Sequence, residues 1–586
     1  MVSMPVGITP RRMSRMALIF FWMQAFICLS SSAQQPVRGT IAGTVTADQG
    51  AVIGFRVAAH NLDRRLWYTV FTNKGRYVVP QALPGRYEIM VYEPAYDSPK
   101  LPAQLDPGES KTLNFAIKKK MPGPDAANNG GERIEYVARI EDIFPPGPGL
   151  DELKKNCTGC HFESFNGFPA MHFTKERYLE AIERMTETGP GYNPYVLALG
   201  HTPINKKEKN LLAEYLATNF GPGTVEKRLR LDPLVLDEEI ASKAIYVSYD
   251  VPADLPMPPR GNVVGADMVD GVIPQMPPNT THHLQAAYIS PVDGCLWFTS
   301  HSNSLLRLDT KSLDPVARWK NYPIKGDPFV QPSGIAIDKE GRVYWAELKA
   351  GLVGELDPAT GKQIRHAMPE LIGAIEEVVV DKDDNIDFGL IWGSAFGRID
   401  AKTRKIHMYP TPTPDNGIYG LAVDQHGNMW GGGWQKGMIN EWNAETEEVK
   451  EYKVPDSWGQ VRRIGVDSKG IVWAAEYPSG RIARLDPTNG ELSEFRIPLN
   501  GAKPYEAWTD KQDYVWTSDQ PHSAMIKLDP KSGKFAFYPM PQPFQSVPKI
   551  QVAGDNTIWF GTRNIPIATA VHFYPNGYTA EAPPLP

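Results

Sequence analysis

Two stretches of the chain, GRVYWAELKAGLVGELDPATG at residues 341–361 and GIVWAAEYPSGRIARLDPTNG at residues 470–490, share one pattern. Each begins with an apolar run that contains Trp and ends in Glu, passes through a turn, and continues into a run that ends in Leu-Asp-Pro. Short apolar runs bounded by Gly, Pro, Asn and Asp predict β-strands. The two stretches therefore indicate one repeated unit of an all-β structure.

The unit recurs seven times between residue 240 and residue 586. Six units carry a Trp in the second strand, and the unit around residues 386–391 lacks it; the six are Trp297, Trp345, Trp430, Trp473, Trp516 and Trp559. Seven units with a period of about 45 residues predict a seven-bladed β-propeller over 240–586, with the Trp side chains as core fillers. The strand at 244–252 has no blade of its own and is predicted to complete the last blade.

The repeats resemble the streptogramin (virginiamycin B) lyase-like propellers over most of residues 282–586, on the Trp strands and the Leu-Asp-Pro ends. The resemblance implies a His general base with acidic residues and a divalent cation nearby. Its signal would be a His in a first strand with a Glu after the Trp strand of the same blade. No blade of this sequence has both, so the lyase chemistry does not transfer residue by residue.

Ligands of propellers bind at the mouth of the central channel, where first strands begin and second strands end. The residues at those positions predict a funnel of both charge signs: His283, Glu347, Glu376, Tyr419, Arg462, Glu476, Glu506, Asp519, Lys549 and Arg563. The candidate catalytic residues among them are His283, Glu347, Glu476, Asp519 and Arg563. The alternative is that these charges line a solvated channel and pair with one another.

A second motif, Cys157-Thr158-Gly159-Cys160-His161, has the C-x-x-C-H pattern that attaches a c-type haem. The two thiols would form thioethers, and the imidazole of His161 would be the proximal ligand of the iron. The other two cysteines are Cys28, in the N-terminal leader, and Cys295, which the sequence indicates is a buried strand residue. A structural disulfide between Cys157 and Cys160 is the alternative.

Residues 150–222 have the pattern of helices. Thr174 can cap a helix over 175–188, and Asn205 with Glu208 begins another like a capping box. A haem helix, a middle helix and a closing helix resemble a class I cytochrome c, most closely at residues 212–217. The sixth iron ligand is predicted to be Met185, with Met171 and His201 as alternatives.

The N-terminus has the pattern of a cleaved signal peptide over residues 1–33: three Arg, an apolar run over 16–29, and Ser31-Ser32-Ala33. A membrane anchor is the alternative, although the run is short for a span. Cleavage would leave the mature chain, with its 67 acidic residues, at a formal charge of about −9. Such a charge disfavours nucleic acid as a partner. The leader predicts a periplasmic or secreted protein with no transmembrane segment after cleavage.

Short strands and turns at residues 37–118 resemble the carboxypeptidase regulatory-like β-sandwich, on Gly43-x-Val45, Gly75-x-Tyr77 and Leu83-Pro84-Gly85-x-Tyr87. The resemblance implies a structural or docking module. Residues 119–149 are predicted to be a linker. The chain is thus predicted to be multidomain and mainly β, with an N-terminal sandwich, a small all-α cytochrome c domain and a C-terminal seven-bladed propeller.

The function predicted from these parts is electron transfer by a haem c-binding protein. The haem domain would serve or accompany a propeller that binds a small molecule, and its partner would be a redox protein or another electron acceptor. The layout resembles that of quinohaemoprotein dehydrogenases. The alternatives are a carbon–oxygen lyase or ligand-binding propeller that uses a divalent cation and no redox step, and a pure interaction scaffold.

Overall fold

The computed structural model describes residues 36–120, 134–157, 168–186, 204–253, 255, 283–326, 330–348, 350–369, 374–391, 393–456, 458–543, 545–574, 578 and 585. The described chain is mainly β, as the sequence predicts. Residues 1–33, together with Cys160, His161 and His201, lie outside the described residues.

Two layers of β-strands form an N-terminal sandwich. Its strands are β1 (Gly39–Ala47), β2 (Arg56–Asn61), β3 (Leu66–Phe71), β4 (Arg76–Ala82), β5 (Gly85–Val91), β6 (Tyr96–Asp97), β7 (Leu101–Leu105), β8 (Ser110–Thr112) and β9 (Phe115–Lys119). One sheet has the order β4-β1-β9-β6, with β8 beside β1, and the other contains β3-β2-β5-β7. Ile41, Val57, Tyr68 and Ile89 are fully buried between the layers. β5 alternates between buried and less buried positions, whereas β2 and β3 are buried at almost every position.

A small helical group follows the sandwich. The elements here are β10 (Ile134–Val137), α1 (Ile140–Ile143), α2 (Leu150–Asn156), α3 (Lys175–Thr186), α4 (Lys206–Phe220), β11 (Glu226–Leu229) and α5 (Glu238–Ala241). Asn205 forms the predicted capping box with Glu208 at the start of α4. We call α1–α4 the helical segment. These helices do not by themselves identify a cytochrome c fold.

The predicted linker at 119–149 contains regular structure where it is described. β10 pairs in parallel with β11 from Ile134 and Glu226 to Val137 and Leu229. The pairing joins the two ends of the helical segment. A partner strand some ninety residues away in sequence leaves no local signal, which is why the composition of this stretch suggested only a linker.

Seven four-stranded antiparallel blades form the C-terminal half. They are blade 1, β13 (Leu284–Ile289), β14 (Leu296–Ser300), β15 (Ser304–Leu308) and β16 (Trp319–Pro323); blade 2, β17 (Pro332–Ile337), β18 (Val343–Glu347), β19 (Leu352–Asp357) and β20 (Lys362–His366); blade 3, β21 (Ile375–Val380), β22 (Ile386–Leu390), β23 (Ala395–Ile399) and β24 (Ile406–Pro410); blade 4, β25 (Ile418–Val423), β26 (Met429–Gly433), β27 (Met438–Trp442) and β28 (Val449–Lys453); blade 5, β29 (Val461–Val466), β30 (Val472–Glu476), β31 (Arg481–Asp486) and β32 (Glu491–Arg496); blade 6, β33 (Trp508–Thr509), β34 (Val515–Asp519), β35 (Ala524–Asp529) and β36 (Lys534–Pro539); and blade 7, β37 (Ile550–Val552), β38 (Ile558–Gly561), β39 (Ile567–Phe573) and β12 (Ala244–Asp250).

The Trp side chains fill the blades, as predicted. Trp345, Trp430 and Trp473 are at most 1% exposed. Trp430 Nε1 donates to Asp424 at 3.0 Å, and Trp473 Nε1 to Asp467 at 3.1 Å. These bonds satisfy a buried indole N–H with the Asp of the preceding turn. Cys295 is buried, as predicted, and directly precedes β14.

The predicted closure of the ring by residues 244–252 is confirmed. β12 pairs along its whole length with β39, from Ala244 opposite Phe573 to Asp250 opposite Ile567. Blade 7 meets blade 1 where the Leu284 N–H donates to the Thr562 carbonyl at 3.0 Å. An early strand of the propeller thus joins the last blade and closes the ring without an open edge.

The other edge of β12 pairs with β3 of the sandwich, from Tyr246 opposite Thr69 to Tyr249 opposite Leu66. Blade 7 and one sandwich layer therefore form a single eight-stranded sheet, β37-β38-β39-β12-β3-β2-β5-β7. Trp67 Nε1 donates to Asp250 at 2.8 Å beside this pairing. The sandwich is an integral extension of the propeller.

Within the part of the chain that the structure describes, no helix combines the length and the apolar character needed to cross a bilayer.

Candidate functional site at the propeller mouth

The channel mouth lies where the inner strands begin and the second strands end. Pro332 at the start of β17 pairs with Glu347 at the end of β18, and Val461 pairs with Glu476 in the same way. The inner strands of blades 1 to 5 each have a register shift near their first residues. Such bulges interrupt the alternation of side chains, so adjacent residues can reach the same space.

Four buried charged residues form a cluster across the channel, which we call the channel cluster: Glu376, Glu377, Arg463 and Lys549. Arg463 Nη2 donates to Glu376 Oε1 at 2.8 Å, and its Nη1 donates to Glu377. Lys549 Nζ donates to Glu377 Oε1 at 2.8 Å. All four are at most 4% exposed. Two cations and two carboxylates thus compensate one another where water is excluded.

The charge states in the channel follow from burial and pairing. Burial alone would lower the pKa of Arg463, but the carboxylates of Glu377 and Glu376 more than offset it, and the pKa is raised. Burial raises the pKa of Glu506 to about 8, although the Ile550 N–H donates to its carboxylate at 2.8 Å. Glu506 is therefore neutral at pH 7 and can give up or take a proton near that pH.

Next to the channel cluster, four aromatic rings surround one arginine. The Arg462 guanidinium carbon lies 3.6 Å from the ring centre of Tyr505, 4.2 Å from Tyr477, 4.9 Å from Tyr419 and 5.0 Å from Trp434. We call these five residues the aromatic box. Arg462 is 3% exposed, and the rings are at most 5% exposed. Cation–π contacts of this kind hold a desolvated positive charge in an apolar setting.

Hydrogen bonds connect the aromatic box to the channel cluster. The Tyr419 and Tyr505 hydroxyls are 2.9 Å apart, and Arg563 Nη2 donates to Tyr505 Oη at 2.9 Å. Arg563 Nε donates to Gln285 Oε1 at 2.5 Å. Ser333 then donates to Glu376 at 2.7 Å, and Gln285 Nε2 lies 3.4 Å from the Ser333 hydroxyl. The mouth is thus one continuous polar network built from several blades.

The helical segment packs over the same face of the propeller. Phe144 lies 5.8 Å from Trp458 between ring centres, and Lys154 Nζ lies 4.0 Å from the Trp458 ring centre. One buried apolar cluster includes Leu153 of α2, side chains of α3 and α4, Trp458 and the four rings of the aromatic box. Cys157 is partly buried and packs against this cluster. The first Cys of the C-x-x-C-H motif therefore belongs to the apolar layer that covers the mouth.

Two of the candidate catalytic glutamates lie within their own blades. Glu347 is fully buried and accepts from Arg365 Nε on β20 at 2.9 Å and from Trp345 Nε1 at 3.1 Å. Glu476 occupies the equivalent position in blade 5 and is also fully buried. Burial, together with the nearby Glu494, raises the pKa of Glu476 to about 9. The channel cluster does not include either residue.

Asp519 occupies the same position in blade 6 and pairs with a histidine that the sequence analysis did not single out. Its carboxylate lies 2.5 Å from His522 Nδ1 and accepts from the Lys503 N–H at 2.7 Å. Burial alone would lower the pKa of His522, but the hydrogen bond and charge of Asp519 more than offset it, and the pKa is raised. His522 Nε2 has no hydrogen-bond partner among the described residues.

The other predicted site residues are distributed as follows. Arg563 is part of the mouth network, and His283 lies one residue before β13, partly buried. Met185 lies at the end of α3, 36% exposed, and Met171 lies before α3, 39% exposed. Cys160, His161 and His201 lie outside the described residues.

Several residues of the mouth were missed by sequence reasoning. Glu377, Arg463 and Tyr505 are each the direct neighbour of a predicted residue, in the doublets 376–377, 462–463 and 505–506. These polar or aromatic doublets at the starts of inner strands were the available signal. Trp434 and Tyr477 directly follow second strands, and their sequence positions are also typical of ordinary core residues.

The described channel does not offer the donor set that a divalent cation prefers. Glu376 and Glu377 have a guanidinium and an ammonium group as partners. Among the described residues, no group of three or more His, Cys, Asp and Glu side chains could hold a metal ion. The prediction of a divalent cation in the propeller has no support from these residues.

Comparison with known families gives two matches. The model of the carboxypeptidase regulatory-like domain matches residues 40–118. The model of the virginiamycin B lyase family matches residues 259–528 and 404–568, which together span more than half of the chain. No curated protein matches the chain.

Several solved structures are similar to the propeller. Selenomethionine-substituted virginiamycin B lyase from Staphylococcus aureus is 20% identical with a TM-score of 0.46, and the match covers 50% of this chain and 97% of that one. A catalytically inactive variant of the lyase from the same organism, with quinupristin, is 19% identical with a TM-score of 0.46 over 51% and 98%. YCF48 from Cyanidioschyzon merolae is 13% identical with a TM-score of 0.41 over 53% and 100%.

Proposed function

The chain belongs to the virginiamycin B lyase family, and from that premise we propose that its propeller works with a covalently attached c-type haem as an exported electron-transfer protein. The haem would be held by Cys157, Cys160 and His161. The molecule to be oxidised would bind at the propeller mouth. The haem would pass its electrons to a redox protein or another electron acceptor outside the cytoplasm. Export is proposed from the leader at residues 1–33.

One observation carries the proposal: Cys157 follows α2 on the side that faces the mouth. Leu150, Leu153 and Cys157 are spaced by three and four residues and pack in one apolar cluster with the aromatic box. Lys154, on the same side of α2, lies over Trp458. Residues at this spacing share one face of a helix. Electron transfer between a mouth-bound molecule and a group on Cys157 would therefore pass through one packed apolar cluster.

The surroundings of Cys157 fit a porphyrin in their chemistry. The cluster against which Cys157 packs is aliphatic and aromatic, and its members include Phe168, Tyr178 and Ile182, each at most 5% exposed. When bound, a haem with a proximal His supplies a one-electron acceptor and donor whose potential depends on its axial ligand and on burial. Met185 is the proposed sixth ligand, with Met171 and His201 as alternatives.

The residues of this chain would bind and orient the other reactant at the mouth. Arg462 and Arg563 present positive charge beside the Tyr419 and Tyr505 hydroxyls. Above its pKa of about 8, Glu506 could take up the proton released when a bound molecule is oxidised. The helical segment would exclude water from the mouth.

The test is whether the full-length protein carries covalently bound haem after it is produced in a host that attaches c-type haem. We expect a haem stain on a denaturing gel and a visible spectrum of a low-spin c-type cytochrome. Cys157→Ser with Cys160→Ser should abolish the stain, and Cys295→Ser, at a buried cysteine of blade 1, should retain it. An unstained wild-type chain, or a stain retained in the double variant, contradicts the proposal.

A lyase that acts without redox chemistry is the second candidate, favoured by the family match and by the Asp519–His522 pair on the mouth face. His522 would be the base and Asp519 the residue that orients it. Quinupristin is the probe. Ring opening without haem, lost in His522→Gln and retained in the Cys157→Ser, Cys160→Ser variant, would support the lyase in place of electron transfer.

A further inference from the structure

The propeller mouth is covered on the side of blades 3 to 6. The four rings of the aromatic box are at most 5% exposed and share one apolar cluster with side chains of α1, α2 and α4. Two glutamines close behind second strands, Gln435 and Gln520, are 6% and 2% exposed, and neither amide atom of either side chain has a hydrogen-bond partner among the described residues. Buried amides without partners cost free energy, which water or a polar ligand would recover. A ligand reaches this mouth only if the elements above it move.

The elements above the mouth are bonded to one another. β10 pairs with β11 at their base. The Tyr215 hydroxyl of α4 donates to the Pro145 carbonyl at 2.9 Å, and Lys227 Nζ of β11 donates to the Asp142 carbonyl of α1 at 3.1 Å. These bonds lie within one group of elements and do not involve the propeller. We call the group β10, α1, α2, α4 and β11 the cover: residues 134–156 and 206–229.

Asn500, in the loop between blades 5 and 6, holds the three residues that follow the cover. Its N–H donates to Asp232 Oδ2 at 3.0 Å, and its Nδ2 donates to the Arg230 carbonyl at 2.5 Å. The Asp232 N–H donates to the Asn500 carbonyl at 3.3 Å, and the Arg230 N–H donates to the Val137 carbonyl of β10 at 2.7 Å. We call residues 230–232 the anchor segment. It connects the base of the cover to the propeller by three hydrogen bonds.

The chain is fixed again directly after the anchor segment. Leu231 lies over Gly501, where a Cβ would be 2.4 Å from Leu231 Cδ2 and where φ is +78°. Leu234 packs against an apolar cluster of blades 5 and 6. The Lys74 N–H of the sandwich donates to Glu238 of α5 at 3.0 Å. A movement of the cover would therefore turn about residues 232–234.

We propose that the cover is a lid on the propeller mouth that Asn500 holds shut and that opens about residues 232–234. Opening separates Phe144 and Lys154 from Trp458 and exposes the aromatic box. It leaves the bonds inside the cover and the eight-stranded sheet intact. The open state gives water or a polar small molecule access to the mouth. The proposal concerns the described fold alone and does not require the haem.

The test is amide hydrogen exchange of the full-length protein, followed by mass spectrometry. A lid that opens as a unit gives all its peptides one free energy of opening. We expect the peptides of the cover to share such a value, and that value to lie below the one for β30 and β34 of the propeller. This measurement uses the wild type and needs no variant. Equal values for the cover and the two propeller strands would mean that the mouth opens only when the propeller unfolds, and would overturn the proposal.

The double variant Asn500→Ala, Asp232→Ala tests the anchor. It removes two of the three hydrogen bonds, each of which contributes a factor of about 2 to 12, so exchange of the whole cover should become about tenfold faster. Asp486→Ala with Asn489→Ala is the matched control, because these side chains form hydrogen bonds in the β31–β32 turn of blade 5. The control should leave exchange of the cover unchanged.

Each result has one meaning for the lid. Faster exchange confined to residues 226–232, or no change in the cover, would show that Asn500 does not hold it shut. A variant that does not fold leaves the wild-type comparison to decide. Because no outcome depends on haem, the lid and the proposed function can fail separately.

Discussion

Arg463 on the first strand of blade 5 donates a hydrogen bond of 2.8 Å to Glu376 at the first strand of blade 3, across the central channel. Blade 4 lies between the two strands in the ring, so the bond connects blades that are not neighbours. Glu377 and Lys549 extend the connection to blade 7. The channel is therefore held together by charge as well as by the packing of adjacent blades.

Loss of the guanidinium should destabilise the propeller strongly. Arg463→Met leaves two buried carboxylates with one remaining cation, and breaking a buried pair in this way costs about 3–5 kcal/mol. The measurement is the free energy of unfolding from denaturant titration. Arg484→Met is the control: Arg484 lies 3.8 Å from Asp486, both side chains are partly exposed, and the change should cost less than about 1 kcal/mol. Equal effects of the two substitutions would contradict a structural role for the channel cluster.

Glu476 should make the protein less stable as the pH rises. Burial, with Glu494 and Asp456 nearby and Arg481 opposing them, raises the pKa of Glu476 from 4.5 to about 9. The folded state keeps the proton that the unfolded chain releases above pH 4.5, so this contribution to stability is full below that pH and is lost towards pH 9.

The neutral isostere Glu476→Gln should remove this pH dependence. The variant should be more stable than the wild type at pH 8.5 and about equal to it at pH 4.5, measured as melting temperature at both values. A constant difference across the pH range would show that Glu476 is ionised in the folded protein.

The Asp519–His522 pair predicts a histidine that stays protonated above its ordinary range. Asp519 raises the pKa of His522 above 6.5 against the effect of burial. Asp519→Asn removes the two largest contributions that raise the pKa, while Asn500 and Asp232 remain, so the pKa of His522 should fall. The rate of deuterium exchange at the imidazole C2 position, followed by mass spectrometry across pH, measures this directly. The raised pKa also means that the pair stabilises the fold at low pH and loses that effect as the pH rises through the folded pKa.

If the haem is present, Met185→Leu should change its spectrum and potential. Met185 lies on the face of α3 that carries the buried Tyr178 and Ile182. A thioether ligand raises the reduction potential, so its loss should lower the midpoint potential and remove the charge-transfer band of Met-ligated ferric haem. Met171→Leu and His201→Leu are measured beside it. The same loss in one of those variants, with Met185→Leu unchanged, would identify that residue as the ligand instead.

The repeat architecture could be predicted from sequence because each blade carries the same pattern of strands and turns within its own residues. Trp473 and its equivalents mark second strands, and Phe388 fills the blade that lacks the Trp, over Gly397. The closing strand β12 was predictable because it resembles the outer strand β36. The pairing of β12 with β3 could not be predicted, because the sequence of an edge strand does not specify which strand will pair with it.

The site was predicted only in part, for two physical reasons. Alternation along an inner strand predicts one channel-facing residue, but the bulge between Ile375 and Glu377 allows both glutamates to reach Arg463. Charge pairing also depends on which side chains the fold brings together. Glu347 has the sequence position of a mouth residue, but it accepts a hydrogen bond from Arg365, two strands away in blade 2. A single sequence does not show which cationic side chain lies near enough to a given carboxylate to pair with it.

The sandwich and the propeller should unfold as one unit. Tyr246 of β12 is fully buried and meets Phe71 of β3 edge to face at 5.9 Å, in a cluster that also contains Trp516 of blade 6. Tyr246→Ala removes a large side chain from both modules at once and should cost about 3–5 kcal/mol. Calorimetry should show one transition that contains both modules and moves as a whole to lower temperature. Tyr92→Ala, at a side chain 37% exposed on the sandwich, should change stability by less than about 0.5 kcal/mol. Two separate transitions, of which Tyr246→Ala shifts only one, would mean that the continuous sheet does not couple the modules.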